Sequence, residues 1–371
     1  MNPLIPFALA AAMTASSLAA DATFYLGTYT KPGKSKGIYV GKLDTDTGKL
    51  GPVELAGEAK SPSFVALSPN QKFLYASIED GGGSVGAFAV GADGRLTTLN
   101  TMPSGGAGAC HVWVDATGKN VLAANYGGGG IAVFQTKPDG SLGERTSFVQ
   151  FEGSGPDKAR QEKPHGHSIY TDSTNKFVYS CDLGTDNVWI FKFDAEKGTL
   201  TPANPPSGKV PPGAGPRHFA LHSNGKFAYA NNEMGLSVTA FSRDPVTGAL
   251  TAVQTLSTLP EGAERKGVST AEILIHPSAK WLYVSNRAHD TIAVYAIGAD
   301  GKLTWIENAP AQVKVPRGFG IDPTGKWLIT AGQNDDRIAV LKIDPATGKL
   351  SATDQSAAVA AAVCVLFAPA K

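Results

Sequence analysis

The sequence has no surplus of either charge. Lysine and arginine number 33 and aspartate and glutamate 32, for a net charge of +1. A protein held to nucleic acid by a broad basic face needs a clear positive excess, so that class is excluded. Charged residues make up only 18% of the chain, whereas hydrophobic ones reach 42%. So apolar a chain can bury enough surface to offset its ordering entropy, which excludes disorder. Cysteine is scarce. Cys110, Cys181 and Cys364 are odd in number, far apart and without a CxxC pair. A disulfide framework and a structural zinc site are therefore not expected, and three buried thiols are. Helix-length periodic segments are also missing. No nucleophile-elbow motif surrounds Ser84, Ser168 or Ser285.

Long apolar runs are absent beyond the N-terminus. There, Leu4 to Met13 is apolar and then gives way to Thr14, Ser16, Ser17, Ala19 and Ala20. Ser17-Leu18-Ala19 and Ala20-Asp21-Ala22 both fit a small-x-small cleavage site, so residues 1–22 read as a secretory signal peptide. No Lys or Arg precedes the run. A retained anchor is the alternative, but small residues break the run before it spans a bilayer. The expectation is a periplasmic or secreted protein, free of the membrane after cleavage, with residues 23–371 forming one domain.

What the chain does have is glycine, 43 residues, and a repeat. A turn ending in G-x-L recurs seven times, with its leucine at Leu50, Leu96, Leu142, Leu200, Leu250, Leu303 and Leu350. A second element, a turn followed by a lysine and an apolar strand, occurs six times; Ser68 to Tyr75 is the first copy. Aspartate, asparagine and glycine suit hairpin turns because they tolerate positive φ or bond their own backbone. Each repeat thus holds about four short strands, as in Phe64-Leu67, Phe73-Ala76, Val85-Phe88 and the segment after the next G-x-L turn. Four-stranded units at this period predict an all-β, seven-bladed β-propeller, because radial stacking covers sheet faces that single blades leave exposed. The segment Phe24 to Leu50 lacks an inner strand, and Val363 to Phe367 is an inner strand with no successor. Joined, the two chain ends form the seventh antiparallel blade and close the ring.

Aligning the repeats locates the axis. Five residues before each strand-opening turn stand Ser63, Cys110, His167, Arg217, Ala271 and Arg317. One residue later stand Phe64, His111, Ser168, His218, Glu272 and Gly318. Where the second strand ends stand Glu79, Tyr126, Leu183, Glu233, Arg287 and Gln333. In antiparallel order these ends are neighbours, so both sets converge on one mouth of the channel. Arginine there suits carboxylate or phosphate through paired hydrogen bonds, and histidine can act as a base near neutrality. The expected ligand is an anionic or carbonyl-bearing small molecule. Structural roles compete at each position, since polar residues at a channel mouth also tie blades together.

Other features are weaker. His222 and His276 fill turn positions held by Asp or Ser elsewhere. Gly81 to Gly83 and Gly127 to Gly130 resemble phosphate loops but no helix follows them. The tryptophans lie mostly in strand runs and read as blade packing. Lys158 to Lys163, in the longest repeat, is either a solvated loop or a cover over the mouth.

Several motifs together resemble one family. They are Phe24-Tyr25-Leu26-Gly27-Thr28-Tyr29-Thr30, Asn125-Tyr126-Gly127-Gly128-Gly129, Arg160-Gln161-Glu162, Pro164-His165-Gly166-His167-Ser168, Asp182 to Asp186, Gly215-Pro216-Arg217-His218, Asn232-Glu233 and Ser285-Asn286-Arg287. Over about Phe24 to Phe367 the chain is similar to the seven-bladed lactonases, which include propeller-type 6-phosphogluconolactonases and fungal 3-carboxy-cis,cis-muconate lactonizing enzymes. The resemblance implies a sugar-lactone hydrolase or a lactone-forming cycloisomerase with no required cofactor or metal. It implies His167 (or His165 beside it), Arg217, Glu233 and Arg287 as catalytic residues, with Glu233 orienting His167 or a water. His165, His218, Arg317, His111, Glu79 and Glu272 are the expected substrate-binding neighbours. The family commonly has Ala where Gly166 stands. Export would favour unphosphorylated lactones. A non-catalytic binding propeller and a metal site at Glu79, Asn125, Asn232 and Glu233 are the remaining alternatives.

Overall fold

The computed structural model describes residues 21–30 and 34–369. The expected signal peptide lies outside the described residues up to residue 20. All 28 regular elements are strands, arranged in seven sheets of four. Six sheets are consecutive in sequence. The seventh joins Ala362–Phe367 to Asp21–Thr28, with Phe24 opposite Phe367, so the two ends of the chain share one blade as expected. Blades are numbered here from the one that starts at Pro62, and the shared blade is blade 7.

The repeat's residues explain the ring. Seven buried hydrophobic clusters form, one at each blade interface. Second strands such as Asn120–Asn125 are buried along their whole length, because both sheet faces meet a neighbour. The G-x-L turn is a docking element as well as a hairpin. Gly140, Gly248, Gly301 and Gly348 have positive φ, and a Cβ at any of them would run into Phe73, Phe177, Phe227 or Trp281 of the preceding blade. Just beside these contacts, tyrosine hydroxyls donate to the turn carbonyls. Tyr75 reaches Gly140, Tyr179 reaches Gly248 and Tyr229 reaches Gly301, each at 2.9 Å. Tyr283 reaches Gly348 at 2.8 Å and Tyr25 reaches Gly94 at 3.2 Å. In the two remaining interfaces Asn120 bonds Ala195 and the Trp327 indole bonds Thr45.

Smaller expectations also resolve. The three cysteines are free and buried. His222 and His276 sit in turns and reach carbonyls of the next blade, at Ala279 and Gly325. Four tryptophans pack in or against the interface clusters, whereas Trp305 is 47% exposed on an outer strand.

Candidate functional site

Every inner strand carries one extra residue near its start, where the pairing register shifts. The bulged residue is Ser63, Cys110, His167, Arg217 or Arg317 in blades 1, 2, 3, 4 and 6, and Val363 in blade 7. In blade 5 the extra residue lies within Ala271 and Glu272. A bulge breaks strict side-chain alternation and re-aims a side chain. This is why adjacent residues such as Arg217 and His218 touch one another, with the Arg217 Nη1 and the His218 Nε2 3.2 Å apart. The residue after the second strand is fixed just as regularly. The backbone N–H of Glu79, Tyr126, Leu183, Glu233 and Gln333 donates to the residue that precedes the inner strand of its own blade. Tyr29 makes the same bond to Ala361 and is the blade 7 member of this set.

Three arginines converge on one carboxylate. Glu233, 6% exposed, accepts from Arg217 at 3.1 Å, from Arg287 at 3.0 Å and from Arg160 at 2.7 Å. Burial alone would raise its pKa. The charges of Arg287, Arg217 and Arg160 outweigh that and hold it at about 2. Burial in turn lowers Arg287 to about 10. The cluster keeps an excess of positive charge in a desolvated mouth, which favours an anion or a developing oxyanion. The buried Nε–H of Arg287 has no protein partner and is a donor to spare.

Behind the arginines lies a histidine chain. Arginine can only donate, so the His218 Nε2 accepts from Arg217 and the Nδ1–H donates to Glu272 at 2.8 Å. This requires a neutral ring. Burial, with the nearby charges of Arg217 and Arg317, pushes His218 well below the usual histidine range. Burial raises Glu272 to about 7 even though Arg217 opposes it. The His167 ring is 5.4 Å from that of His218 and is likewise held neutral by burial and by Arg217. His111 lies 5.3 Å from His218, between Phe64 and Tyr170, with its Nε2 buried and unpartnered. His165 stacks on Tyr126 at 4.6 Å and is bonded to the Tyr126 carbonyl.

Across the mouth stands a second group. The Arg317 guanidinium lies over the Tyr29 ring, 5.5 Å from its centroid, and the Tyr29 hydroxyl donates to Glu79 at 2.9 Å. All ten residues singled out from the sequence therefore belong to the mouth or the channel beneath it. Glu233 engages arginines through both of its oxygens and makes no hydrogen bond to His167 among the described residues. Glu79, Asn125 and Asn232, the other members of the alternative metal set, bond Tyr29, Ser104, Ser237 and Thr239.

Two residues outside the ten candidates join the mouth. Arg160 projects from the loop after blade 2 and bonds both Glu233 and the Tyr126 hydroxyl, so this loop covers the mouth. The loop is seated by Gly129 and Gly184, where a Cβ would collide with the backbone carbonyls of Pro164 and Lys163. The glycine run beside Tyr126 thus serves close packing. Tyr29 was hidden because blade 7 is split, so no repeat lysine precedes its strand; counting through the closed ring would have found it.

Comparison with known proteins agrees with this geometry. Residues 23–367 match the family model described as a seven-bladed β-propeller lactonase. A 6-phosphogluconolactonase of Bacillus subtilis is 36% identical over 347 residues, covering 92% of this chain and 97% of its own length. A 6-phosphogluconolactonase of Formosa agariphila is 31% identical over 343 residues, covering 90% and 96%. The solved structure of a periplasmic gluconolactonase of Pseudomonas aeruginosa superposes with a TM-score of 0.88 at 27% identity, covering 94% of this chain and 99% of that one. The chain belongs to the seven-bladed β-propeller lactonase family and is a lactone-hydrolysing enzyme of the 6-phosphogluconolactonase type.

Proposed function

We propose that this enzyme opens six-carbon aldonolactones of the gluconolactone type by direct attack of water. The observation that carries the reading is the Arg217–Glu233–Arg287 cluster beside a buried, neutral His167. His167 takes a proton from water as its oxygen adds to the lactone carbonyl carbon. Arg217 and Arg287 N–H groups receive the charge that develops on the carbonyl oxygen. Collapse of the tetrahedral intermediate breaks the ring C–O bond, and the leaving alkoxide takes the proton back from His167. The product is the open-chain aldonic acid. With a pKa of about 2, Glu233 is too weak a base for this and serves to fix the arginines.

The test is hydrolysis of gluconolactone and 6-phosphogluconolactone by the purified protein, with a muconate as the control for cyclisation. Removing one oxyanion donor in Arg217→Gln is expected to lower kcat about 10²- to 10³-fold. Loss of the base in His167→Ala is expected to cost about 10²- to 10⁴-fold. Unchanged rates in both variants would overturn the mechanism, and a wild-type protein inert toward both lactones would overturn the substrate.

Residues 1–22 are read as an export signal, and the periplasmic gluconolactonase of Pseudomonas aeruginosa supports that reading. N-terminal sequencing of the protein from its native cells is expected to find a chain that begins near Asp21 or Thr23. A chain found only in the cytoplasm with Met1 intact would remove it.

A further inference from the structure

One blade interface departs from the pattern of the others, on the face opposite the mouth where the second strands begin. The residue after the repeat lysine is Phe73, Phe177, Phe227, Trp281 or Trp327 in blades 1, 3, 4, 5 and 6. In blade 2 it is Asn120, which holds the same place and bonds Ala195 of the next blade. The five rings cover the glycine of the next blade's G-x-L turn. In blade 7 the counterpart is Thr23, two residues before the docking Tyr25 as Phe73 is two before Tyr75. The glycine it should cover, Gly94, has the same positive φ as the others, but a Cβ there would meet Val40 and the Tyr25 hydroxyl and no ring.

Blade 7 lacks a second part as well. Blades 1 to 6 join inner strand to second strand by a hairpin turn, whereas in blade 7 these strands are the two ends of the chain. The third-strand residue opposite the tyrosine position is fully buried in blades 1 to 6, as Ala87, Val133, Ile190, Ala240, Val294 and Val340. Its counterpart Val40 is only half-buried. Beside it a cleft of about 950 Å³ opens between the turns of blades 6 and 1, with Thr23, Tyr25, Val40, Leu67, Val90 and Gly94 among its walls. Clefts of this size hold small molecules.

We propose that the cleft binds a small, uncharged aromatic molecule of one or two rings, whose ring takes the position that Phe or Trp holds at five other interfaces. The chain itself shows the occupant, since a turn glycine beside a docking tyrosine is covered by a ring at blades 1, 3 and 4 and again at blade 5. Val40, Leu67 and Val90 supply apolar contact. The adjoining turn supplies backbone carbonyls, and at the blade 6 interface the Trp327 indole N–H already bonds such a carbonyl, that of Thr45, at 2.9 Å. A ring bound in the cleft bridges blades 7 and 1 at the seam. The site is separate from the lactonase mouth, and its test needs no turnover.

The probe is indole, titrated into the purified protein by calorimetry and by thermal melting. Wild type is expected to bind a single indole saturably and to melt at a higher temperature in its presence. Thr23→Phe supplies the ring from the chain. It is expected to melt above the wild type without indole and to bind indole about 10-fold more weakly or less, because a second ring overpacks the filled cleft. Thr23→Ser leaves the cleft open and is expected to bind as the wild type does. If Thr23→Phe does not fold, Thr23→Leu, which fills the cleft in part, takes its place and is also expected to bind more weakly. Absence of saturable binding by the wild type overturns the proposal, as does binding that the filling variant leaves unchanged.

Discussion

The two sides of the mouth solve the same electrostatic problem in opposite ways. Around blades 4 and 5, three arginines share the Glu233 carboxylate, and the cluster is held together by its own ion pairs. Toward blades 6, 7 and 1, Arg317 rests on the Tyr29 ring and has no ion pair with a carboxylate among the described residues. The difference teaches that arginine content alone does not identify a binding residue. A guanidinium that shares a buried carboxylate is held in place by it, whereas one without such a partner keeps its full charge and its fork of donors.

The largest effect is expected from deleting the shared carboxylate. Glu233→Gln leaves buried guanidinium groups uncompensated and is expected to destabilise the protein by about 3–5 kcal/mol in urea unfolding. The pH dependence carries a definite sign. Glu233 titrates near 2 when folded, below the ordinary carboxylate value of 4.5, so its contribution is complete above pH 4.5 and is lost as pH falls toward 2. The stability gap between wild type and Glu233→Gln should therefore close across that window. A gap that is independent of pH there would break the contrast between the two sides.

A smaller effect is expected from Glu272, which supports the paired side through His218. Above about pH 7 the carboxylate is ionised and its charge-assisted bond holds His218, which in turn holds Arg217. Below that pH the bond weakens. Lactonase activity, corrected for uncatalysed hydrolysis, is expected to fall several-fold as pH drops through 7. Glu272→Gln keeps an acceptor oxygen but cannot titrate, so its profile should be flat over the same range. A wild-type limb that persists in this variant would assign the titration to another group.

The smallest effect is expected at Arg160. Its side chain is 44% exposed, so screening by solvent reduces the worth of its contact with Glu233. Arg160→Ala is expected to cost less than about 1 kcal/mol in stability, in keeping with exposed ion pairs. It is also expected to raise KM by a few-fold, because the loop loses its tie to the mouth. A loss as large as that of Glu233→Gln would mean that the covering loop belongs to the rigid half.

The fold was legible because blade docking imposes residue types at fixed offsets. In five of the seven G-x-L turns the glycine, Gly48, Gly140, Gly248, Gly301 or Gly348, meets an aromatic ring of the preceding blade, and this leaves the same trace in most repeats. Much of the site was legible for a related reason, since the bulge falls at the same step of six inner strands and a count from the turns aligned His167, Arg217 and Arg317. The bulge itself was not legible, because the residues at it, Ser63, Cys110, His167, Arg217, Arg317 and Val363, share no signature. Nor was the partnership of Glu233. Sequence places arginines, glutamates and histidines near one opening, but only distance decides that the Glu233 carboxylate serves arginines and not His167. Arg160 lay in a loop without a repeat counterpart to align it.

The seam in blade 7 reaches into the site. Tyr29 receives its place from a bond to Ala361, immediately before the last strand, and Ala362–Phe367 lies against Asp21–Thr28. The support under Arg317 is therefore built from two segments more than 300 residues apart in sequence, and the mouth is complete only when blade 7 is closed.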